Sequence, residues 1–433
     1  MRFYSTSDKD YKVSFEAAVR QGLAPGGGLF MPEAIEPLPA EFWKHISSRP
    51  FNDIAFHVGS QFLKGAIPDF ELKKIINHTV SFDAPLVEID RNIFALELFH
   101  GPTMAFKDFG ARFLSGLFGY FARENENEIT ILVATSGDTG SAVANGFLNV
   151  KGTRVIVLYP SGKVSEVQEK QFTTIGHNIT ALEVDGTFDD CQWLVKQAFS
   201  DEALRKRLSL TSANSINIAR LLPQLFYYFY AYSKLKDKNH PVVFSVPSGN
   251  FGNLTAGLMA KKMGLPVKKF IAATNINDIV PEYLRKKLFS PRSSIQTISN
   301  AMDVGNPSNF SRMVDLYGND FTKLSEDVSG FSFDDAETKR IMNDVFKNNG
   351  YLLDPHGAIG YLGLKEYLKN GNDATGIFLE TAHPGKFRDV VEDAIGQSIM
   401  LPESLMKFLK GEKKAVKMGS SFDEFKSYLD LIR

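Results

Sequence analysis

Short apolar runs alternate with longer stretches of helical spacing through the middle of the chain, from about residue 91 to 275. The pattern predicts strands over residues 129–135, 154–159, 179–184, 242–246 and 270–274. Between them it predicts helices over residues 140–149, 165–175, 188–204, 216–235 and 254–263. Because buried strands separated by helices are typical of βα units, we expect the α/β class, with a parallel sheet covered on both faces.

The two flanking regions have less regular patterns. Residues 1 to about 90 begin with an irregular stretch that prolines and glycines interrupt, followed by apolar residues at helical spacing around Pro68. From about residue 276 the chain mixes loops and helices with one clear strand over 376–380, and its end is charged and helical in period. A length of 433 residues predicts two or three domains.

The charge balance and cysteine content exclude several classes of partner. The chain has 49 Lys and Arg against 50 Asp and Glu, which gives no electrostatic reason to bind nucleic acid or an anionic membrane. No apolar run approaches the ~18–20 residues that span a bilayer. The single cysteine, Cys191, excludes an internal disulfide, and the eight histidines lack zinc-site spacing, so no metal is expected. With a polar start that lacks a signal-peptide core, we expect a cytoplasmic protein.

Two predicted strand ends carry loops suited to anions, and ligands of open α/β sheets bind at such ends. Residues 246–253 (VPSGNFGN) lie between a strand and a helix, and Gly249 and Gly252 let backbone amides approach a phosphate closely. The alternative is an ordinary glycine-rich turn. In residues 134–140 (ATSGDTG), hydroxyls and amides could hold a carboxylate, although Ser, Asp and Thr are also ordinary helix caps.

Two further segments place polar groups at strand ends. Lys107 follows Pro102 and begins a predicted helix, where the positive helix end disfavours a cation. The functional interpretation is a lysine that is condensed with a carbonyl or has a lowered pKa; the alternative is a solvated side chain. Thr381 and Lys386 follow the strand over 376–380 and suggest either a ligand contact or a helix cap.

One cofactor is indicated by the combination of these features: a phosphate-binding loop, a carboxylate-binding turn and a lysine at the start of a helix. Pyridoxal phosphate needs a lysine for its aldehyde, amides for its phosphate and a polar turn for the carboxylate of an amino-acid substrate. We therefore predict a pyridoxal-phosphate enzyme that acts on an amino acid.

The sequence also resembles a known family over nearly its whole length. The resemblance lies in KVSFEAAVRQGLAPGGGLFMPE, FHGPTMAFKDFGARF, ATSGDTGSAVA, LYPSGKVSEVQEKQF, SANSINIARLLPQ, VPSGNFGNLTAGLMAKKMGLP, AMDVGNPSN and FLETAHPGKF. These ordered segments are similar to threonine synthases of the longer bacterial and fungal type, in the tryptophan-synthase-β-like group, fold type II. The resemblance implies two α/β domains with the cofactor in the cleft, plus an N-terminal extension. It implies boundaries at 1–90 (N-terminal domain), 91–240 (smaller domain with Lys107 and the SGDTG turn) and 241–433 (larger domain with the phosphate loop).

The resemblance also implies roles for the residues at the site. Lys107 forms a Schiff base with the cofactor and later shuttles protons, and Thr381 sets a hydroxyl against the pyridine nitrogen. Asp138 stands where many relatives in the broader group have an asparagine that contacts the ring oxygen. A carboxylate there would repel that oxygen unless it is protonated or turned aside. The residues implied around the cofactor phosphate are Gly249, Asn250, Phe251, Gly252 and Asn253.

The implied reaction converts O-phospho-L-homoserine and water into L-threonine and phosphate. The turn residues Thr135, Ser136, Gly137 and Thr139 are expected to bind the substrate. Candidates for its phosphate are Lys163, Asn214, Ser215, Asn217, Arg220 and Lys386. Of these we favour Arg220, because a guanidinium fork suits a phosphate. The leaving phosphate can serve as the base for water.

Other functions stay open at this stage. The nearest is another pyridoxal-phosphate lyase, such as a serine/threonine dehydratase or a phospholyase, which would give a keto acid or aldehyde instead of threonine. A non-catalytic metabolite-binding relative and a P-loop nucleotide-binding module are weaker alternatives, the latter because the Lys-Ser/Thr element is absent. We expect a small-molecule substrate and a monomer or homodimer.

Overall fold

Three separate β-sheets organise the fold, which a computed structural model describes over residues 1–122, 128–369, 371 and 373–432. The described strands are β1 (Arg2–Ser5), β2 (Asp8–Ser14), β3 (Phe30–Pro32), β4 (Leu86–Asp90), β5 (Ile93–Glu97), β6 (Ile129–Ala134), β7 (Thr153–Pro160), β8 (Ile179–Val184), β9 (Thr211–Ser212), β10 (Val242–Pro247), β11 (Lys269–Thr274), β12 (Val328–Ser332), β13 (Thr375–Glu380) and β14 (Val416–Met418).

Helices cover the faces of the two larger sheets and fill the segments between them. They are α1 (Phe15–Gln21), α2 (Ala40–Lys44), α3 (Phe51–Leu63), α4 (Asp69–Thr79), α5 (Lys107–Phe121), α6 (Asp138–Phe147), α7 (Glu166–Thr173), α8 (Phe188–Ser200), α9 (Glu202–Leu208), α10 (Ile218–Leu221), α11 (Gln224–Lys234), α12 (Gly252–Lys262), α13 (Ile279–Lys286), α14 (Phe310–Leu316), α15 (Phe321–Asp327), α16 (Asp335–Asn349), α17 (Pro355–Lys369), α18 (Arg388–Ile395), α19 (Glu403–Leu409) and α20 (Phe422–Leu431). No described helix combines the length and apolar character needed to cross a lipid bilayer.

The first sheet lies at the N-terminus and is antiparallel, in the order β2-β1-β3. The sequence pattern predicts an irregular stretch here, which is wrong. The reason lies in β2, which is rich in Asp and Lys and has no buried residue, so it lacks the apolar alternation of a half-buried strand. Its pairing with β1 supplies the regularity instead.

The two larger sheets are parallel, as expected, and β4 alone among their described strands runs antiparallel to its neighbour. The six-stranded sheet has the order β12-β11-β10-β13-β5-β4, and the five-stranded sheet has the order β14-β8-β7-β6-β9. All residues of β6, β10 and β13 are buried, which explains their unbroken apolar runs.

The two larger sheets exchange strands across the predicted domain boundaries. Strand β5 belongs by position to the predicted domain 91–240, yet it pairs with β13 in the six-stranded sheet. Strand β14 belongs to the predicted domain 241–433, yet it pairs with β8 in the five-stranded sheet. Hydrophobic periodicity locates the strands but does not show which strands pair with each other. The predicted domains, which are continuous ranges of sequence, therefore do not coincide with the sheets. The domain boundaries themselves stay a prediction.

The central elements follow the sequence prediction closely, apart from two helices. The predicted helix over 188–204 is two helices, α8 and α9, because Asp201 adopts an extended backbone and caps α9 by accepting from the Leu204 amide. The predicted helix over 216–235 breaks into α10 and α11 at Pro223, which has no amide hydrogen to continue the helix. The apolar face of α5 is buried, at Phe109, Phe113, Leu114, Leu117 and Phe121.

Candidate active site

A cavity of about 100 Å³ lies where β6, β10 and β13 end. Its wall includes Ala134 at the end of β6, Pro247 at the end of β10 and Thr381 just after β13. It adjoins a larger cleft of about 1540 Å³, with which it shares Asn214 and Asn250 among others. This is the position at which open parallel sheets bind their ligands.

Lys107 lines the cavity from the first position of α5. The loop before it is fixed by buried Asp108, whose carboxylate accepts from the Thr103 amide at 2.9 Å and the Thr103 hydroxyl at 2.6 Å. Burial lowers the pKa of Lys107, and the nearby cations Lys386 and Arg220 lower it further, against the attraction of Asp138. The distance from Lys107 Nζ to Asp138 Oδ2 is 3.8 Å. A buried amine in this field loses its proton more readily than a solvated one, as a nucleophilic lysine requires.

Asp138 is held as a carboxylate by a buried partner, Lys386. Lys386 Nζ lies 2.7 Å from Asp138 Oδ1, and Gln168 Nε2 donates to the same oxygen at 2.8 Å. Burial alone would raise the pKa of Asp138, but Lys386 and Lys107 outweigh it and hold that pKa below its ordinary value. The carboxylate is therefore ionised and turned to a lysine.

This geometry corrects the assignment of Lys386 to the substrate phosphate. Its side chain is fully buried, it does not line the cavity, and its remaining contact is a bond to the Thr103 carbonyl at 2.8 Å. The sequence shows a lysine near a strand end but not the direction of its side chain.

Replacing Lys386 with methionine is expected to destabilise the protein by about 3–5 kcal/mol, because buried Asp138 would lose its closest cation and keep only Lys107, 3.8 Å away. The free energy of unfolding in urea measures the loss. The matched control is Lys261→Met, because Lys261 pairs with Asp327 at 2.7 Å with both side chains partly exposed. That change is expected to cost about 1 kcal/mol or less. Equal losses in the two variants would contradict the assigned pair.

The loop between β10 and α12 presents backbone amides to the cavity. All five predicted phosphate-loop residues line it, and Phe251 has a left-handed backbone with φ of 58° where the loop enters α12. Within the described residues, the amides of 249–251 form no hydrogen bond. The first amides of a helix also lack intrahelical partners. The amides of the loop and those at the start of α12 together form an anion-binding site suited to a phosphate.

Side chains within and beside this loop hold its shape. The Asn253 carboxamide oxygen accepts from the Ser248 hydroxyl at 2.8 Å, while its nitrogen donates to the Pro247 carbonyl at 2.8 Å. The Asn250 carbonyl accepts from the Asn309 amide at 3.2 Å. The side chain of Asn253 therefore stabilises the loop from within, and the segment 306–309 (NPSN) stabilises it from outside.

Gly249→Ala is expected to weaken cofactor binding and to destabilise the protein by about 1–3 kcal/mol. A Cβ at Gly249 would lie 2.7 Å from the Ala301 carbonyl oxygen and 2.9 Å from Met302 Cα, so backbone would have to move. Titration of cofactor absorbance and urea unfolding measure the two effects. The control is Gly119→Ala, where the nearest atom is 3.8 Å away, and a small gain in helix stability is expected. A Gly249 variant with unchanged cofactor affinity would contradict the close approach.

Arg220 brings a second anion-binding group to the same cavity. It is 4% exposed, its Nη1 donates to the Ala213 carbonyl, and its Nε packs against Gly110 without a hydrogen-bond partner among the described residues. Burial lowers the pKa of Arg220 to about 10, so the side chain stays a cation at neutral pH. Asn214 and Ser215 also line the cavity beside it. A buried guanidinium in the wall of a cavity is suited to binding an anion there.

Several other predicted substrate residues do not reach the cavity. Lys163 is exposed, outside the cavity wall. Asn217 is fully buried and caps α10, and its side-chain nitrogen donates hydrogen bonds to the Val19 and Ser212 carbonyls. The Thr135 hydroxyl accepts from the Gly137 and Gly140 amides, so Thr135 holds the turn. Gly137 does not line the cavity either; of the four turn residues, Ser136 and Thr139 do. Ordinary capping is not observed either, because the N-cap of α6 is Gly137, without a side-chain hydrogen bond.

The structure adds residues that sequence reasoning missed. His356 and the segment 300–304 line the cavity, and buried Arg312 supports it from behind. The Arg312 guanidinium donates to the carbonyls of Phe30, Ser215 and Ile216, and so ties β3 to the segment before α10. The motif AMDVGNPSN contains 301–309 and was the available signal, but nothing in it identified a contact.

Three family models cover the chain almost end to end. The model described as "Pyridoxal-phosphate dependent enzyme" matches residues 80–378, "Threonine synthase N terminus" matches residues 2–80, and "Threonine synthase, C-terminal" matches residues 357–429. The threonine synthase of Haemophilus influenzae is 45% identical over 430 residues, 99% of each chain. The chain belongs to the threonine synthase family.

Solved structures of threonine synthases agree with this membership. The Escherichia coli enzyme has a TM-score of 0.94 at 41% identity, with 100% of both chains covered. The pyridoxal-phosphate-bound enzyme from Brucella melitensis has a TM-score of 0.92 at 35% identity, with 99% of this chain and 98% of that chain covered. The expected fold type II, the cofactor pyridoxal phosphate and a threonine synthase activity of the lyase class are thereby confirmed. The alternative of a dehydratase or phospholyase is not favoured.

Proposed function

We propose that the chain converts O-phospho-L-homoserine and water into L-threonine and inorganic phosphate in the cavity lined by Lys107 and the cleft that adjoins it. One observation supports this most: Lys107, the loop residues 249–253 and the buried cation Arg220 line the same cavity. A phosphorylated cofactor and a phosphorylated amino acid together require one reactive amine and two anion-binding groups.

The residues present fit pyridoxal phosphate. The free amides of 249–251 and the helix start at Gly252 would hold its phosphate, Lys107 would hold its aldehyde carbon, and Thr381 would offer the ring a neutral hydroxyl. When bound, the cofactor supplies an electron sink for the α-carbon of the amino acid. Because Asp138 is turned to Lys386, its charge is already neutralised before a ligand arrives.

Lys107 is the proton-transfer residue in this proposal. Its buried position and neighbouring cations favour the uncharged amine, which can take the α-proton of the substrate at Nζ and return it at a later carbon. Asp138, 3.8 Å away, stabilises the ammonium that forms in between. One lysine thus covers both directions of proton transfer.

Two groups of residues orient the substrate. Ser136 and Thr139, at the start of α6, offer hydroxyls and a helix N-terminus to the α-carboxylate. Arg220, with Asn214 and Ser215 beside it, offers N–H and O–H groups to the γ-phosphate. By retaining the released phosphate, Arg220 keeps a base beside the carbon that water attacks. Lys163, Asn217 and Lys386 have no part in this set.

A phosphate-release assay tests the proposed function. The full-length chain loaded with pyridoxal phosphate is incubated with O-phospho-L-homoserine, and the amino-acid product is identified by chromatography. We expect threonine and phosphate in equal amounts. Phosphate with a keto acid in place of threonine would contradict the proposal. The cytoplasmic location and the monomeric or homodimeric state stay predictions from the sequence.

A further inference from the structure

A buried carboxyl group lies directly behind the cavity and has no role in the mechanism above. Glu380, the last residue of β13, precedes Thr381 in the cavity wall and is 0% exposed. Within the described part of the chain, no N–H or O–H group donates to either of its carboxyl oxygens. The absence of a side chain at Gly357 makes room for it, because a Cβ there would lie 2.3 Å from the Glu380 carboxyl.

The Glu380 carboxyl interacts with a second buried carboxyl group, Asp354. Asp354 accepts from the His356 amide at 2.8 Å, the His356 Nδ1 at 2.6 Å and the Gly357 amide at 3.2 Å. Three donors stabilise its negative charge. A protonated Glu380 would satisfy its burial by donating a hydrogen bond from its hydroxyl to Asp354. Burial and the negative charge of Asp354 raise the pKa of Glu380. Burial alone would raise the pKa of Asp354 as well, but its interactions with Glu380 and His356 outweigh burial and lower that pKa.

His356 connects this pair to the cavity. Its Nδ1 faces Asp354, so Nδ1 carries the proton and Nε2 is left as an acceptor. Nε2 accepts from the Ala301 amide at 3.3 Å, and Ala301 packs against Gly249 of the phosphate loop. The imidazole therefore ties the segment 300–304, a wall of the cavity, to the start of α17.

We propose that Glu380 is a neutral carboxylic acid that shares its proton with Asp354, and that the pair positions His356 as the neutral Nδ1–H tautomer behind the cavity wall. Asp354 then accepts from both Glu380 and His356 Nδ1, which fixes the orientation of the imidazole and leaves Nε2 to accept from the Ala301 amide. The pair thus acts on the cofactor cavity through His356, and this positioning role rests on the proposed function only for its effect on turnover.

Two spectroscopic measurements on the loaded, substrate-free protein test the assignment directly. The infrared difference spectrum between the unmodified chain and Glu380→Gln at neutral pH is expected to contain the carbonyl stretch of one protonated carboxyl group. Nitrogen-15 spectra of histidine-labelled protein, assigned with His356→Gln, are expected to show His356 protonated on Nδ1 alone. No protonated-carboxyl band, or a His356 protonated on Nε2, would overturn the proposal.

Two variants of Glu380 with side chains of similar size separate hydrogen-bond donation to Asp354 from the filling of the buried space. Glu380→Gln keeps a donor to Asp354, and its dissociation constant for pyridoxal phosphate is expected to stay within about threefold of the unmodified value. Glu380→Leu removes the donor, and a dissociation constant about tenfold higher is expected, from the loss of about one hydrogen bond in the cavity wall. In the leucine variant the His356 spectrum is also expected to change.

The outcomes separate this inference from the proposed reaction. Equal loss of cofactor affinity in both variants, with unchanged circular dichroism, would mean that Glu380 acts as an anion, which overturns the inference. If the band and the tautomer are found but no threonine is made from O-phospho-L-homoserine, the proposed function fails and the assignment of Glu380 stands.

Discussion

Lys107→Ala is expected to abolish covalent attachment of pyridoxal phosphate and to lower turnover by about 10⁴-fold, the upper range for loss of an acid–base group. The same nitrogen has two tasks: it holds the cofactor carbon and it moves the α-proton. Borohydride reduction followed by peptide mapping measures the first, and threonine formation measures the second. The visible absorbance of the bound cofactor is expected to disappear with the covalent bond.

A matched lysine change controls for charge and helix effects. Lys163 is exposed and lies outside the cavity wall, so Lys163→Ala is expected to keep both the attached cofactor and turnover. If peptide mapping of the unmodified chain found the cofactor on a lysine other than Lys107, the assignment of the site would be wrong.

Arg220→Ala is expected to raise KM for O-phospho-L-homoserine by about 30-fold or more, with a much smaller change in cofactor affinity. Truncating one partner of a buried hydrogen-bonded charge pair costs about 2–5 kcal/mol, and about 1.4 kcal/mol corresponds to tenfold in affinity. Steady-state kinetics and cofactor titration measure the two quantities.

The comparison variant for this site is Arg220→Lys, which keeps a cation but loses the planar fork. It is expected to recover part of the lost affinity for substrate, because a lysine binds phosphate as a point charge. Equal weakening of cofactor and substrate binding in Arg220→Ala would move Arg220 from the substrate phosphate to the cofactor.

The sequence predicts the parts of the fold and site that depend on local pattern. Buried parallel strands, such as β8 and β10, have apolar runs that mark them, and their bounds agree with the prediction to within one residue. The phosphate loop is equally local, since its glycines, the preceding strand and the following helix are consecutive. Lys107 at the start of α5 belongs to the same group.

Features that depend on where a side chain points in the folded protein could not be predicted from local sequence pattern. Lys386 and Asn217 have chemistry suited to a phosphate, but their side chains turn inward to Asp138 and to backbone carbonyls. Arg312 gives no local signal, because its partners are carbonyls far away in the chain. The neutral state of Glu380 depends on Asp354, 26 positions earlier, and on the room that Gly357 leaves.

The pairing of β14 with β8 has a consequence for synthesis of the chain. Strand β8 ends at Val184, whereas β14 begins at Val416, so an edge of the five-stranded sheet waits unpaired on the ribosome until the C-terminus is translated. A premature stop codon before β14 would leave that edge permanently open. We therefore expect chains that end before β14 to aggregate more readily than the full-length chain, through the exposed edge of β8.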